Sequence, residues 1–445
     1  MKTRLILLLL LPLAACTARD PYVQVRDSVP PYAVFAHRGS TYWAPEETES
    51  AWRWARETGA DYLESDLQCT KDGVILANHD ENLTRTTDIR AVFGEDVPGS
   101  RAAFYESLGF APEDAAAQVE RDRETFKAFY AASYYYAELL QLDAGSWFNE
   151  ARPEQARDAY KGSQYVSALQ DQIAYAEGKM LRRDSAGRRV LPFSLKPSCQ
   201  GKTLEALSAE GPEGGKYLEI LDYDFAHAYV PDPGDTGNRP GIYIEFKEPE
   251  VNPVDMEQRV FDILDRAGWN IITRPAKDKA FYKNGKVNVG NTRGKVILQT
   301  FSPASLLRAN AIFQGRLPMC FLLWPPCPEE IPDGDLETED GFRAILRWAR
   351  SNGADIIGPS ISGAPNNYAE LNNAWQAALV REAGMLNHPY SFDTPAQMEE
   401  QTDRSDGFFT NRSEMTIQYL FDHGLRSAKA PAVPDPEATL RRLGY

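Results

Sequence analysis

Two histidines, an arginine and a pair of carboxylates lie close together in the first part of the chain. They occur as His37-Arg38, Glu64-x-Asp66 and His79, each at or near the end of a short apolar run. Histidine titrates near neutral pH, so two facing histidines can divide the work of a general acid and a general base. Carboxylates bind hard cations, and arginine pairs with phosphate oxygens. The hydrolysis of a phosphodiester needs all of these groups.

Glu64 and Asp66 lie two positions apart in a strand-like run, so both side chains point to the same face. Two inward carboxylates are costly to bury unless a cation lies between them. Glu245 and Lys247 repeat the spacing on another strand. Three carboxylates from two strands predict a site for one divalent cation, Ca²⁺ or Mg²⁺. Arg38 could contact a phosphate bidentately and Lys247 could add a point charge. For Glu64 with Asp66, and for Glu245 with Lys247, the alternative is a solvated strand end or a salt bridge.

The five histidines fall into two groups. His37 and His79 follow apolar strands among charged residues, and we expect them to form the acid–base pair. A lone histidine is more often structural than catalytic. We expect a structural role for the remaining three, which are His227, His388 and His423.

Short β-rich runs alternate with helical patterns along much of the chain. This alternation predicts an α/β protein with a parallel sheet covered by helices. Nine strand candidates compete for the eight places of a TIM-type (β/α)8 barrel, so one is peripheral or wrongly assigned. The candidates are residues 32–36, 62–67, 74–77, 242–246, 296–301, 319–324, 355–358, 385–392 and 407–410. Functional residues at the C-terminal ends of several strands suit the active face of such a barrel.

The barrel is predicted to cover residues 32–424, with a large mixed helical and loop insertion at about residues 90–240. Within it, residues 102–142 have a helical pattern and residues 180–240 are rich in Gly, Pro and charge. We expect the insertion to pack beside the barrel mouth. Residues 425–445 form a C-terminal tail, which we predict to be a loop.

The N-terminal region has the pattern of an export signal. Lys2 and Arg4 precede an apolar run that ends in Leu13-Ala14-Ala15-Cys16. A basic start, a short apolar stretch and small residues before a cut point are typical of a secretory signal. The last four of these residues also resemble a bacterial lipobox. We therefore expect a lipoprotein-type signal peptide at residues 1–15, lipidation of Cys16, and a tether at residues 16–31. The alternative is a plain signal peptide with an incidental cysteine.

A lipid on Cys16 would anchor the protein to a membrane. In a Gram-negative cell it would then lie in the cell envelope on the periplasmic side. Thr17 stands where inner-membrane lipoproteins often carry aspartate, so the outer membrane is favoured.

The charge of the chain restricts its partners. The full sequence has a net charge of −16, and loss of Lys2 and Arg4 leaves 46 basic against 64 acidic residues, or −18. Such an acidic surface argues against nucleic acid and against broad adsorption to anionic lipid. An anionic small-molecule substrate is compatible if its pocket carries a cation. Four cysteines follow Cys16, and a loop bridge between Cys320 and Cys327 is one of several possible pairings.

Several short sequence motifs, spaced along the chain, resemble those of the glycerophosphodiester phosphodiesterase family. The resemblance is strong over residues 33–90 and 142–148, clear at 241–250, and traceable to about residue 412. The strings are His37-Arg38-Gly39, Pro45-Glu46-Glu47-Thr48, Glu64-Ser65-Asp66, Thr70-Lys71-Asp72-Gly73, His79-Asp80, Leu142-Asp143-Ala144-Gly145-Ser146-Trp147-Phe148 and Ile244-Glu245-Phe246-Lys247.

The resemblance implies a TIM-type barrel that releases glycerol 3-phosphate from small-molecule glycerophosphodiesters. It implies a divalent cation held by Glu64, Asp66 and Glu245. It further implies that His37 and His79 act as acid and base, in an order that stays open. Arg38 and Lys247 would contact the phosphate. In the family's favoured route the neighbouring glycerol hydroxyl attacks, and water opens the resulting cyclic phosphate.

The chain departs from the family pattern at three places. Glu47 replaces the usual asparagine of the Pro-Glu-Asn-Thr turn, so a positioning hydrogen bond is expected to differ. Asn411 stands where Thr-Asp is usual, a position expected to lie outside the catalytic set. Residues 390–393 follow the family's Trp-Thr-Val-Asn only loosely.

Two other functions remain compatible with the sequence. The same barrel could act on lysophospholipid or sphingolipid phosphodiesters, with Phe301, Phe321 and Trp324 lining an apolar slot. Alternatively, the chain could be a catalytically silent surface binding protein, against which the intact pair of histidines argues. The sequence leaves open the head group, the choice between Ca²⁺ and Mg²⁺, and the oligomeric state.

Overall fold

The computed structural model describes residues 25–445, and its central feature is a sheet of eight parallel strands. The predicted signal peptide, Cys16 and most of the predicted tether lie outside the described residues. In chain order the strands are β1 Ala33–Ala36, β2 Tyr62–Cys69, β3 Gly241–Phe246, β4 Val296–Thr300, β5 Met319–Leu323, β6 Ile356–Pro359, β7 Leu386–Asn387 and β8 Gly407–Thr410.

The strands follow one another around a barrel. Each strand from β1 to β6 pairs in parallel with the next one, and β8 pairs with β1. The segment after β7 returns to β8, where the Phe392 N–H donates to the Phe409 carbonyl at 2.7 Å. A parallel bridge joins Phe392 to Thr410. The circle is therefore completed by a bridge and not by a continuous ladder, and the predicted (β/α)8 fold is confirmed.

A helix follows every strand of the barrel. These helices are α1 Glu49–Thr58, α2 Leu169–Ala176, α3 Met256–Ala267, α4 Pro303–Phe313, α5 Glu339–Ser351, α6 Ala374–Glu382, α7 Pro395–Gln401 and α8 Ser413–Asp422. The outward side chains of the strands, such as Leu63, Ile244 and Leu298, are buried against this layer. This arrangement directs the alternate side chains of each strand into the barrel.

The ninth strand candidate is peripheral. Ile75–Ala77 pairs antiparallel with β2 and continues to the short strand Ser167–Ala168. The chain reverses at Gly73, whose φ of +80° is readily adopted only by glycine. An antiparallel hairpin partner cannot occupy a place in the parallel barrel.

The lower half of the barrel interior is filled by aromatic rings. Phe35 meets Tyr243 edge to face at 4.9 Å, and Tyr243 lies 4.8 Å from Phe409. His388 is fully buried in this layer, where desolvation lowers its pKa to about 3 and keeps the ring neutral. We call this layer of rings the aromatic plug. The polar side chains that point into the barrel from the same strands lie beyond it, at the C-terminal ends of the strands.

Most of the chain between residues 90 and 240 packs outside the strands. Its α-helices outside the ring are Ile89–Phe93, Arg101–Ser107, Pro112–Thr125, Tyr136–Leu139, Ser146–Ala151 and Leu204–Glu210. A buried cluster of its own includes Tyr134, Tyr136 and Leu139. The segment meets the barrel at Asp72, which accepts hydrogen bonds from the Tyr136 N–H at 3.0 Å and the Tyr223 hydroxyl at 2.5 Å. Only α2 within this stretch takes a place in the helical ring.

The prediction that the C-terminal tail is a loop was wrong. Residues Pro436–Leu443 form a helix, α9, which Asp435 caps by accepting from the Ala438 N–H at 2.6 Å. Leu440 and Leu443 pack on the buried ring of Trp54 in α1. The helix therefore closes over an apolar patch that local sequence did not reveal.

The part of the chain that the structure describes contains neither a membrane-spanning helix nor a disulfide bond. From residue 25 onward, none of the helices has the length and apolar character needed to cross a bilayer. The four cysteines of this part are all free. Cys320 is fully buried in the barrel interior, whereas Cys327 lies on the loop beyond β5.

Candidate active site

The three predicted cation ligands meet at the mouth of the barrel. Asp66 and Glu245 are register partners on β2 and β3, and Glu64 lies two positions before Asp66. Carboxylate oxygens of the three residues all lie within 4.8 Å of one another, and the three side chains are buried. This is the juxtaposition that the period of two on each strand predicts.

The charges of these carboxylates are strongly coupled. Burial, and then the charge of Asp66, raise the pKa of Glu64 well above its ordinary value. Burial raises the pKa of Glu245 to about 8, with Asp66 contributing in the same direction and Lys247 opposing it. Burial alone would raise the pKa of Asp66. The positive charge of Arg38 outweighs burial, so the pKa of Asp66 is lowered. Without a cation, burial and mutual repulsion therefore favour the protonated forms of Glu64 and Glu245.

The chemistry of this cluster fits a hard divalent cation. Asp66 Oδ2 is buried and accepts no well-aligned hydrogen bond, although it forms an ion pair with Arg38 Nε at 3.0 Å. A cation among Glu64, Asp66 and Glu245 would relieve the repulsion that raises two of their pKa values, and oxygen-only donors favour Ca²⁺ or Mg²⁺. These three residues form the candidate metal site.

The His-Arg-Gly turn places Arg38 against this cluster. The Arg38 N–H donates to Glu64 Oε2 at 2.8 Å, and its Nε lies 3.0 Å from Asp66 Oδ2. Gly39 has a φ of +85°, and a Cβ there would come within 2.6 Å of the Ala51 Cβ. Glycine is therefore required for the turn to lie against α1.

His37 is held by a residue that we had expected to lie outside the catalytic set. Its Nδ1 lies 2.8 Å from Asn411 Oδ1, and Asn411 Nδ2 donates to Asp393 Oδ1 at 2.8 Å. Since Asp393 fixes the amide orientation, Asn411 presents an acceptor and Nδ1 of His37 carries the proton. Burial, and then the charge of Arg38, lower the pKa of His37 to about 3. A neutral ring with a free Nε2 results.

His79 has a different partner. Its Nδ1 lies 2.5 Å from Asp80 Oδ1, and Asp80 Oδ2 accepts from Arg85 at 2.6 Å. On its other side, Nε2 of His79 lies 3.3 Å from Lys247 Nζ. One histidine therefore faces a neutral amide and the other a carboxylate.

Lys247 joins the second histidine to the carboxylates. Its Nζ lies 3.2 Å from Glu245 Oε1, and Glu245 with Asp66 raises the pKa of Lys247 although burial opposes it. The ammonium group therefore remains charged at the mouth of the barrel, where Arg38 supplies a second cation. Together they could neutralise an anionic group.

Two further polar residues contact the ligand set: Gln299, which the sequence did not indicate, and Glu47, which was expected only to alter a positioning hydrogen bond. Gln299 Nε2 on β4 donates to Glu64 Oε1 at 2.9 Å. Glu47 Oε1 accepts from the Asp66 N–H at 2.7 Å, and burial and then Asp66 raise its pKa well above the ordinary value. A protonated Glu47 is neutral, like the asparagine usual at this position. Gln299 could have been found from its register, since it pairs with Glu245.

The other histidines lie apart from this site. His388 belongs to the aromatic plug, the exposed His227 pairs with Asp224, and the exposed His423 stacks on Tyr419 at 3.9 Å.

A cavity of about 520 Å³ opens over the site. His37, Arg38, His79, Glu245 and Lys247 line one end of it. Phe301 and Trp324 line its wall, as expected for an apolar slot. The expectation for Phe321 was wrong: its side chain points outward from β5 and packs on Trp348, because Cys320 and Leu322 take the inward positions.

Known proteins resemble this chain in sequence and in fold. A model of the Glycerophosphoryl diester phosphodiesterase family matches residues 37–184. The glycerophosphodiester phosphodiesterase of Bacillus subtilis (strain 168) is 26% identical over 381 residues, covering 85% of this chain and 83% of that protein. The enzyme of the same name from Bacillus altitudinis is 46% identical over 82 residues, covering 17% of this chain and 34% of that protein.

A solved structure from Silicibacter pomeroyi DSS-3, assigned to the glycerophosphoryl diester phosphodiesterases, covers 91% of this chain and 98% of its own at a TM-score of 0.51. Its sequence identity is 15%, so this likeness shows the fold.

A parallel barrel with acid–base, cationic and carboxylate groups at its C-terminal mouth defines a class, the barrel hydrolases of phosphoric diesters. Within that class, residues 37–184 match the glycerophosphodiester phosphodiesterase family, and the similarity to the B. subtilis enzyme extends over 85% of the chain. The resemblance inferred from its spaced motifs is thereby confirmed.

Proposed function

We propose that this protein hydrolyses glycerophosphodiesters to an alcohol and glycerol 3-phosphate with the help of one divalent cation. The main observation behind this proposal is that both histidines line the same cavity as the carboxylates and the two cationic side chains. These residues are His37, His79, Glu64, Glu245, Arg38 and Lys247. The B. subtilis relative, which is similar over most of both chains, carries the name of this activity.

The two histidines would move the protons of the reaction. One takes the proton of the attacking hydroxyl next to the phosphoester, while the new O–P bond forms. The other protonates the departing alkoxide as the bond from phosphorus to the head-group oxygen breaks. Water then opens the cyclic phosphate by the reverse transfers and leaves glycerol 3-phosphate.

The partners of the histidines favour one assignment of roles. The negatively charged Asp80 carboxylate accepts at Nδ1 of His79, whereas Nδ1 of His37 donates to the neutral amide oxygen of Asn411. We therefore assign the general acid to His79 and the general base to His37.

Arg38 and Lys247 would neutralise the phosphate oxygens. Glu64, Asp66 and Glu245 would hold the cation, Ca²⁺ or Mg²⁺. When bound, such a cation polarises the phosphoryl group and stabilises developing negative charge.

A coupled assay for glycerol 3-phosphate tests the proposal. Purified protein is incubated with glycerophosphocholine, glycerophosphoethanolamine and glycerophosphoglycerol, with Ca²⁺ or Mg²⁺ and with a chelator. We expect cation-dependent release from at least one of them. Absence of release from all three would contradict the proposal and favour the silent binding protein.

We also propose that Cys16 carries a lipid that holds the protein in the cell envelope, on the periplasmic side and at the outer membrane. The supporting observation is the Leu13-Ala14-Ala15-Cys16 string after a basic start. Full-length protein expressed in a Gram-negative host should partition into detergent, and Cys16→Ser should abolish the partition. Equal partition of both forms would contradict the anchor.

A further inference from the structure

Positive charge is concentrated in one segment of this acidic chain. Between α3 and β4, residues 268–295 contain seven basic residues and one acidic residue, which gives a net charge of +6. Because the whole chain carries −16, the remaining residues together carry −22. We call residues 268–295 the basic segment. Its basic residues are Arg274, Lys277, Lys279, Lys283, Lys286, Arg293 and Lys295.

The basic segment lies at the N-terminal ends of the barrel strands, opposite the active site. The Tyr282 hydroxyl donates to Asp61 Oδ1 at 2.8 Å, and Asp61 directly precedes β2. The Arg239 N–H, two residues before β3, donates to the Val287 carbonyl at 2.8 Å. Lys295 directly precedes β4. The catalytic groups lie at the opposite ends of these strands, so the basic segment takes no part in the site.

A hairpin and its flanking loops expose most of the basic side chains. Tyr282–Lys283 pairs antiparallel with Lys286–Val287, and the turn between them, Asn284-Gly285, has two positive φ values, as tight hairpin turns favour. Lys283 pairs with Asp278 at 2.6 Å. Within residues 25–445, four exposed basic side chains of the segment form no ion pair with a carboxylate. These four are Arg274, Lys277, Lys279 and Arg293.

The beginning of the described chain reaches the same end of the barrel. Gly294 of the basic segment packs so closely on the Ser28 carbonyl that a Cβ at Gly294 would have no room. Eight residues separate Cys16 from Val25, where the described chain begins. A stretch of this length spans at most roughly 30 Å. A lipid on Cys16 would therefore hold this end of the barrel, and not the active site, close to the membrane.

We propose that the basic segment docks the protein onto a membrane surface that contains anionic phospholipids. The four exposed side chains pair with the phosphates of the lipid head groups. The acidic remainder of the molecule is repelled by the same surface. One orientation is then favoured, in which the N-terminal ends of the strands face the membrane and the active site faces the aqueous compartment.

The proposed lipidation of Cys16 supports the choice of partner. A basic surface also suits a nucleic acid or the acidic surface of a second copy of this chain. The membrane is favoured because the chain leaves the barrel toward its proposed anchor at this same end. The inference rests on that anchor only for this choice, since the concentration of charge is independent of it. The net charge still argues against adsorption through the rest of the surface.

Co-sedimentation with vesicles tests the docking. Full-length Cys16→Ser protein, which has no cysteine to carry the lipid, is mixed with vesicles of phosphatidylcholine alone or of equal parts phosphatidylcholine and phosphatidylglycerol. We expect preferential binding to the anionic vesicles at low salt. High salt should remove this preference, because exposed charges are screened. Any contribution of residues 1–15 is the same for every variant.

Charge-matched variants locate the binding surface. The test variant combines Arg274→Gln, Lys277→Gln, Lys279→Gln and Arg293→Gln. One basic residue near an anionic surface strengthens binding by roughly fivefold, so loss of four should weaken binding to anionic vesicles by at least about tenfold. The control should bind like the parent although its net charge changes equally. It combines four exposed positions outside the basic segment, Arg123→Gln, Lys161→Gln, Arg188→Gln and Lys202→Gln.

The depth of a fluorescent label provides a second test. The label is attached to Asn284→Cys at the hairpin tip or to Glu330→Cys on the exposed loop after β5, both in the Cys16→Ser background. Cys327→Ser removes the half-buried native thiol from each form. A quencher carried by the lipid head groups should reduce the signal at position 284 and leave the signal at position 330. Equal quenching at both positions would contradict the proposed orientation.

The outcomes separate the docking from the proposed anchor and the proposed activity. Equal binding to both kinds of vesicle, or equal loss in the test and control variants, would overturn the docking. Preferential binding of a single-stranded oligonucleotide, or salt-sensitive self-association without vesicles, would assign the basic segment to another partner and also overturn it. Detergent partition of the wild-type protein tests the anchor separately. Turnover of glycerophosphocholine in solution should be unchanged in both variants, which shows that they are folded.

Discussion

His37 and His79 differ in the group that holds Nδ1. The first has the amide of Asn411 and the second has the carboxylate of Asp80, at 2.8 Å and 2.5 Å. An adjacent carboxylate favours the charged imidazolium, whereas an amide only orients the ring. At the scale of single residues, this difference is the basis for the proposed roles of His37 as base and His79 as acid.

Substitution of Asn411 tests the assignment of His37 as the general base. Asn411→Asp places a carboxylate beside His37, so the pKa of His37 should rise from its present value of about 3. Because a general base must be deprotonated to act, the acidic limb of the kcat/KM profile should move to higher pH. Asn411→Ala should instead lower kcat by roughly tenfold to a hundredfold, since the ring loses its orientation.

The matched control is Asn373→Asp, the same exchange at the N-cap of α6. It should leave the profile unchanged. An acidic limb that stays in place in Asn411→Asp would contradict the role of His37 as base.

The residues that sequence could identify are those whose type and spacing act locally. Glu64, Asp66 and Glu245 were predictable because a period of two places them on one face of a strand. Asn411 was not, since it meets His37 across 374 positions and follows a strand like many other asparagines. Only the closed barrel joins the two.

For strands and helices, too, some features follow from the local sequence and others depend on residues far away in the chain. The strands were predictable from apolar runs, including the excess one that proved to be an antiparallel partner of β2. For α9 the local signals were present, because Asp435-Pro436 is a typical N-cap and first-turn pair. Its stability depends on Trp54 of α1, a distant partner that local sequence does not reveal.

The packing of α9 gives a prediction for stability. Leu440 is fully buried, so Leu440→Ala should lower the free energy of unfolding by about 2–4 kcal/mol through lost burial and a residual cavity. Urea denaturation measures the change. Arg441→Ala, whose side chain is 66% exposed, should stay within about 0.5 kcal/mol of wild type. Equal stability of both variants would contradict docking of the helix.

At the scale of the whole molecule, closure of the barrel creates an acidic pocket that single strands cannot form. Glu64 and Glu245 have raised pKa values, and that of Glu245 is about 8. Both carboxyls must lose their protons to bind a cation, so cation affinity should increase as pH rises toward about 8.

Proton release measures this coupling. Titration of Ca²⁺ into chelator-treated protein at pH 7 should release up to about two protons, one from each of Glu64 and Glu245, and fewer at pH 9, where Glu245 is already ionised. Calorimetry in two buffers of different ionisation enthalpy gives the number. Glu245→Gln should weaken binding, whereas Glu250→Gln, at an exposed position on the same segment, should not. Equal release at both pH values would contradict a cation between these carboxylates.

The central claim is that the two histidines at the barrel mouth carry out phosphodiester hydrolysis. The most direct measurement compares turnover of glycerophosphocholine by wild type, His37→Ala and His79→Ala at one cation concentration, with circular dichroism to confirm folding. Each variant is predicted to lose about a hundredfold to ten-thousandfold in kcat. Near-normal turnover by either folded variant would contradict the account.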